Sequence, residues 1–443
     1  MSIENNSTIE QSRNMPKGGE KSIPKGWVET ALGEVINIKH GFAFKGEFIS
    51  LERNENILIT PGNFKVGGGF KSDKFKYYYG DIPNDYILNP NDVIVTMTDL
   101  SKIGDTLGYS AKVPTDNKNY LHNQRIGLLI YKNNDFDKEY IYWLLRTKHY
   151  QKSIVNSSTG STVRHTSPKR IQEYSFNTPQ SIEEQKAIAQ ILTAFDDKIE
   201  LLQDQNKTLE TTAQTIFKEW FGKYQIGDEL PEGWRLFQMN ELVGTVNGYS
   251  YKGKELVEES DEVLVTLKSF DRNGGFQTRG FKPFKGLPKS TQEVQIGDLV
   301  VAHTDLTQDA EVLGNPAFIF DNGGFKKMYI TMDLVKVTPK HKDISTSFLY
   351  YLMKDRVFKG HCVGYSNGTT VLHLSKKAIP EYQVFLPNDF VKVKEFSEFA
   401  NVTTNKISLN KDEIKYLKQT RDTLLPKLMS GQLRVDEFKE RAV

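Results

Sequence analysis

The chain has 443 residues, of which 38% are hydrophobic and 26% charged, with a formal net charge of +2 and one cysteine. That length exceeds one ordinary core and predicts two or three domains. No apolar run approaches the roughly 20 residues of a membrane span, and the lone Cys362 excludes an internal disulfide or a cysteine-built zinc site, so a cytoplasmic protein without membrane association is expected.

Residues 1–22 are polar, carry Gly, Pro, Asn and Ser without an apolar stretch, and read as a disordered tail and not a secretory signal. Beyond them the charge is uneven: +4 over residues 23–180, −5 over 181–229, zero over 230–390 and +3 over 391–443. Near neutrality thus hides an acidic segment and leaves room for local basic surfaces.

Slid against itself by about 207 residues, the chain matches itself. Ile23-Pro24-Lys25-Gly26-Trp27 aligns with Leu230-Pro231-Glu232-Gly233-Trp234, and Gly41 to Gly46 aligns without a gap with Gly248 to Gly253. At 206, Gly68-Gly69-Phe70 meets Gly274-Gly275-Phe276 and Thr98-Asp99-Leu100 meets Thr304-Asp305-Leu306; at 208, Ser158 to His165 meets Ser366 to His373. The chain is a duplication.

Each repeat opens with β-rich runs between Gly, Pro and Asn turns: Val93 to Thr96 and Ile126 to Tyr131 in the first, Val263 to Leu267, Asp298 to Ala302 and Met332 to Val337 in the second. Helices are predicted over Glu139 to Val155 and near Ser347 to Phe358. Each repeat then closes with one long helix. In the first, Ile188, Phe195, Leu202, Leu209 and Ile216 recur every seven residues, with Leu192, Ile199, Asn206, Ala213 and Trp220 between them, an a/d heptad pattern. The second carries a weaker stripe of Phe396, Ala400, Thr403, Ile407, Asn410, Ile414, Leu417, Arg421, Leu424 and Leu428.

A helix from Glu183 to Phe221 would be about 58 Å long at about 1.5 Å per residue, too long for the interior of one small domain. It reads either as part of a core helix pair or as a spacer between two domains, and the heptads favour two facing helices, most simply antiparallel. Asn206 and Asn410 either fix register as a buried polar pair or face solvent. The expected fold is α+β, with two tandem, pseudo-two-fold-related domains separated by long antiparallel coiled-coil spacer helices. The boundaries are a tail over 1–22, a first domain over 23–180, a central helix over 181–229, a second domain over 230–390, a C-terminal helix over 391–432 and a tail over 433–443.

Catalytic signatures are not matched. Gly67 to Ser72 lacks the Gly before Lys that a phosphate-cradling Walker loop requires. Asn89-Pro90-Asn91-Asp92 opens like an amino-methyltransferase loop but has Asp92 where the stacking aromatic belongs. The eight histidines form no zinc-ligand pair. No catalytic residue, metal site or cofactor is expected in this chain.

Binding is the remaining class. Lys65, Lys71, Lys74 and Lys76 interleave with Phe64, Phe70, Phe75, Tyr77, Tyr78 and Tyr79; Lys268, Arg272, Arg279 and Lys282 do the same with Phe270, Phe276, Phe281 and Phe284. Cations at this spacing neutralise phosphates while the aromatics stiffen or underlie the loop; alone, the pattern also fits an amphipathic hairpin. Lys45, its mate Lys252, and Arg125 join these candidate DNA contacts. Thr98-Asp99 and Thr304-Asp305 either offer a hydroxyl and a carboxylate to base edges or form turns. Ser161, Arg164, His165, Thr369 and His373 are candidate phosphate or base contacts.

These residues resemble the specificity (S) subunit of type I restriction-modification enzymes from Ile23 to about Leu433. The resemblance rests on Ile23-Pro24-x-Gly26-Trp27, on Pro179-x-x-x-Glu183-Glu184-Gln185-x-x-Ile188, and above all on the run from Thr420 to Leu433 (TRDTLLPKLMSGQL). It implies that each globular unit is a target recognition domain and that the helices form a ruler between them. It also implies that the chain binds double-stranded DNA and two methyltransferase (M) subunits, and through them restriction (R) subunits, with S-adenosylmethionine, ATP and Mg on those partners. The second helix departs from the pattern: residues 388–394 lack the Glu-Gln pair, which makes partner docking at that end less symmetric. A type IIB-like specificity subunit and a two-domain adaptor that never reads DNA are the rival readings.

Overall fold

The computed structural model describes residues 23–270 and 275–435; the tail expected over 1–22 and all but the start of that over 433–443 lie outside them. The chain divides into two compact units, one holding residues up to Lys198 together with Leu417 onward, the other Ile199–Tyr416. No helix among the described residues is long and apolar enough to cross a membrane.

In the first unit Val93–Thr96, a β-branched run buried at every position, lies inside a four-stranded sheet of order Ile36–His40, Ile126–Tyr131, Val93–Thr96, Ser110–Lys112. β-branched residues buried on both faces suit such a central strand. A second sheet contains Lys76–Tyr78, Asn56–Leu58, Asn119–Leu121 and Ile87–Leu88, with Ile49–Ser50 added at its edge. The other unit repeats the frame. Val243–Asn247, Leu334–Pro339, Leu299–Ala302 and Pro316–Phe318 form one sheet, and Lys282–Pro283, Glu262–Val265, Lys327–Ile330 and Glu293–Val294 the next, in the corresponding order. In both units the second sheet contains a parallel pair, Asn56 opposite Asn119 and Glu262 opposite Lys327.

The helix expected over Glu139 to Val155 is two helices, Lys138–Leu144 and Lys148–Ser157, because the Thr147 side chain accepts the Tyr150 N–H and starts the second. Its mate is divided likewise into Thr346–Met353 and Arg356–Gly364, with Asp355 as the cap.

The two long helices span Ile182–Phe221 (40 residues) and Val391–Met429 (39 residues). Inside the first unit Ile188, Ala189 and Leu192 share a core with Leu425, Leu428 and Met429. Within the second, Ala213, Phe217 and Phe221 share one with Phe396 and Ala400, and Asn206 meets Asn410 at 2.8 Å. Rising numbers on one helix face falling numbers on the other, so the segments pair antiparallel in each unit. Ile188, Ile199, Leu202, Ile407, Asn410 and Ile414 are buried, while Phe195, Asn206, Leu209, Ile216, Leu417 and Leu424 are half-buried. At the end of the central helix the buried positions shift from Ile216 and Trp220 to Phe217 and Phe221, whose rings pack edge-on against Phe348 and Phe396. The helix there belongs to a domain core and no longer to a two-helix seam.

Glu184 and Gln185 act inside the chain. Glu184 accepts from the Trp27 indole at 3.3 Å and from Arg434 at 3.0 Å, and buried Gln185 donates to the Pro179 carbonyl and accepts the Asp137 N–H, each at 3.0 Å. The second repeat, with Lys392 and Val393 there, makes the equivalent tie one turn later: Ser397 accepts the Ser345 N–H and donates to the Asp343 carbonyl. Arg434 also binds the Lys25 carbonyl at 3.0 Å, and Val435 is buried.

Candidate nucleic-acid interface

The interleaved loops separate their two chemistries by face. Phe64 is buried with Ile57, Ile59 and Tyr120, and Phe70, Phe75 and Tyr77 pack against that cluster, while Lys65, Lys71, Lys74 and Lys76 are exposed. The aromatics are therefore the floor under a cationic surface; of them only Tyr79 is exposed. The other repeat buries Phe270 with Val263, Val300 and Ile330, sets Phe276 and Phe281 against them, and exposes Lys268 and Arg279. Lys282 is half-buried, its ammonium donating to the Tyr251 hydroxyl at 3.0 Å. Lys45, Arg125 and Lys252 are exposed; Arg272 lies outside the described residues.

The loop of the first repeat is bolted down from beneath. Arg146, only 4% exposed as a residue, donates from Nε to the Gly67 carbonyl at 3.0 Å and from Nη1 to the Tyr142 hydroxyl at 3.0 Å and to Asp196 at 2.5 Å, with its guanidinium 4.0 Å over the Trp143 ring. Gly68 is required here: its φ is +85° and a Cβ would meet the Arg146 side chain at 2.5 Å. Asp196 also accepts from Arg421. Burial pushes the Asp196 carboxyl pKa up, but the two guanidinium charges outweigh it and hold it below the ordinary value. The other unit substitutes a simpler pair, Lys354 with Glu210, joined by the Tyr350 hydroxyl. Arg146 and Asp196 are important residues that the sequence patterns do not isolate; the available signal was Arg421, a charge sitting on the heptad stripe.

The turn-located candidates come together in pairs. Arg164–His165 pairs antiparallel with Thr98–Asp99, Arg164 opposite Asp99 and His165 opposite Thr98; in the second repeat His373 stands opposite Thr304 and Leu372 opposite Asp305. Thr98 and Thr304 are buried, His165 and His373 exposed, and the Thr98 hydroxyl lies 3.2 Å from the His165 Nδ1. Ser161 and Thr369 are exposed in the preceding loops. Those loops turn on Gly160 and Gly368, each at positive φ and each too close to a carbonyl, Val163 or Val371, to carry a Cβ.

Asp99 and Asp305 correct an expectation. Both are buried, and neither offers a free carboxylate to a base edge. Asp99 accepts the Ser101 N–H at 2.6 Å, and from Thr106 both the N–H at 2.5 Å and the hydroxyl at 2.8 Å. Asp305 accepts from Thr307 (N–H and hydroxyl, both 2.8 Å), Val312 at 2.6 Å and Leu313 at 3.0 Å. Desolvation raises each pKa, yet these donors outweigh it and both carboxyls stay below their ordinary value. These are the bonds of the turn alternative. Arg164 is likewise occupied, binding the Lys102 carbonyl at 2.8 Å and the Ser158 hydroxyl at 3.0 Å.

Residues 24–211, the first repeat with most of the central helix, match the family described as the type I restriction modification DNA specificity domain. The MjaIX specificity subunit of Methanocaldococcus jannaschii is 26% identical over 68% of this chain and 70% of its own length. The HindI specificity subunit of Haemophilus influenzae is 24% identical over 72% and 83%, and the EcoBI subunit of Escherichia coli 24% identical over 61% and 58%. In fold, the crystal structure of a type I S subunit from M. genitalium superposes with a TM-score of 0.56 at 19% identity, covering 93% of this chain and 97% of that one. The chain is thus similar in sequence to type I restriction enzyme specificity subunits and shares the fold of one.

Proposed function

We propose that the chain is the non-catalytic DNA sequence-specificity subunit of a type I restriction-modification system. Each repeat reads one half of a bipartite, asymmetric target in double-stranded DNA, and the two long helices set the gap. Two methyltransferase subunits dock on the chain and recruit restriction subunits, and S-adenosylmethionine, ATP and Mg act on those partners in the cytoplasm.

The observation that carries this reading is one frame built twice with different charged side chains on it. Phe70 and Phe276, Phe75 and Phe281, and Lys76 and Lys282 correspond, yet Lys71 faces Gln277, Asp73 faces Arg279 and Lys74 faces Gly280 at the same offset of 206. A common scaffold with changed surface donors is what two unequal half-sites require. The test is selection of random duplexes by the chain assembled with a type I methyltransferase subunit of its host, at about 150 mM salt. Enrichment of two constant blocks separated by an unspecified gap is expected; failure to enrich any sequence would leave a protein adaptor as the better account.

A further inference from the structure

The segment after each Thr-Asp pair is polar in its bonding and apolar at its tip. In the first repeat Asp99 takes the Ser101 and Thr106 N–H groups, and the Ser101 hydroxyl takes those of Gly104 and Asp105 at 3.0 and 2.9 Å. The Lys102 carbonyl is held by Arg164 and that of Gly104 by Gln151, both at 2.8 Å. With these groups paired internally, Leu100 and Ile103 nevertheless point outward, 73% and 71% exposed.

The second repeat reaches the same result with other donors. Lys359 binds the Ala310 carbonyl at 2.7 Å, the Asn315 side chain at 2.8 Å and the Leu313 carbonyl, while Gln308 binds the Thr369 carbonyl at 2.6 Å. Leu306 is left outward, 67% exposed. Leu100 and Leu306 correspond without a gap. A pre-ordered loop that offers an aliphatic side chain to water loses little entropy on binding.

Two features identify the partner class. The leucine is the same in both repeats while its neighbours change, so one partner surface can serve both sides. The flanks argue for protein over DNA, since Lys102 and Ile103 of the first loop are replaced by Gln308 and Asp309 in the second, and an aspartate beside the contact is unfavourable to phosphates. We infer that Leu100 and Leu306 are equivalent docking knobs, each entering an apolar pocket on one of two identical copies of a partner protein. Resting on the function proposed above, that partner is the methyltransferase subunit.

The test is native mass spectrometry and titration of the full chain with a type I methyltransferase subunit of its host, for the wild type, Leu100→Asp, Leu306→Asp and the double variant. Both sites are exposed, so an unchanged melting temperature is expected and certifies folding. The wild type should bind two copies; each single variant should retain one tight site and weaken the other about tenfold or more, and the double variant should weaken both. Two equally tight copies on every variant would overturn the inference; if target methylation were lost at the same time, the leucines would instead be DNA contacts. A wild type that binds no methyltransferase would contradict the functional reading itself.

Discussion

The Arg146 guanidinium and the Asp196 carboxylate meet at 2.5 Å, tying the cationic loop of the first repeat to the central helix. Removing Asp196 leaves Arg146 buried with its charge uncompensated. Asp196→Ala should therefore destabilise the chain by about 3 kcal/mol, at the lower end for a buried pair because the carboxylate side is partly exposed. Asp196→Asn should show how that loss depends on pH. Its carboxyl pKa is depressed in the folded state, so the stabilisation is fully present above the unfolded value of about 3.9 and disappears as pH falls through the folded value. Urea midpoints of wild type and Asp196→Asn should differ most at neutral pH and converge in acid. A constant difference across that range would remove the carboxylate charge from the explanation.

A second expectation concerns the helical seam. Asn410 is fully buried, its amide donating to Asn206 at 2.8 Å and to Gln205 at 2.9 Å, while its Oδ1 has no partner among the described residues. Asn206→Leu takes one acceptor from a buried amide and should cost about 1 kcal/mol or more. Replacing both asparagines with leucine removes the unsatisfied groups and should raise the unfolding free energy above that of the single variant. Chemical denaturation of the three proteins measures it; a double variant less stable than the single one would contradict the account.

The spacer reading makes a geometric prediction. Deleting one heptad from each helix, residues 202–208 and 408–414, preserves the phase of the seam and shortens the pair by about 10 Å, roughly three base pairs at about 3.4 Å each. The unspecified gap in the selected target should contract by that amount with both blocks unchanged. A gap of unaltered length would show that the helices do not set it.

The exposed lysines of the first loop should act through phosphates. Lys71→Ala, Lys74→Ala and Lys76→Ala together should weaken binding across all duplexes and lower the salt slope by up to about three, without changing the selected motif. A changed motif would instead make them base readers.

Much of the frame was legible because it is periodic. The heptads from Ile188 to Leu209 and from Phe396 to Ile414 announced two facing helices, and the 207-residue offset announced the duplicated sheets. What was not legible depends on which way a polar side chain turns. Asp99 could have faced outward or into its own turn, and only the fold supplies the Ser101 and Thr106 donors that bring it inward. Arg164 lies 62 residues from the Lys102 carbonyl it binds, and no spacing rule joins the two. The handover from Ile216 to Phe217 marks where the helix meets a domain core, a tertiary event that the heptad pattern cannot anticipate.

The measurement that bears most directly on the central claim is a single-molecule methylome of a host carrying this chain and its methyltransferase, compared with the same host lacking only this chain. The account predicts a bipartite, asymmetric adenine-methylated motif that vanishes with the chain. A methylome that is unchanged by its removal would contradict it.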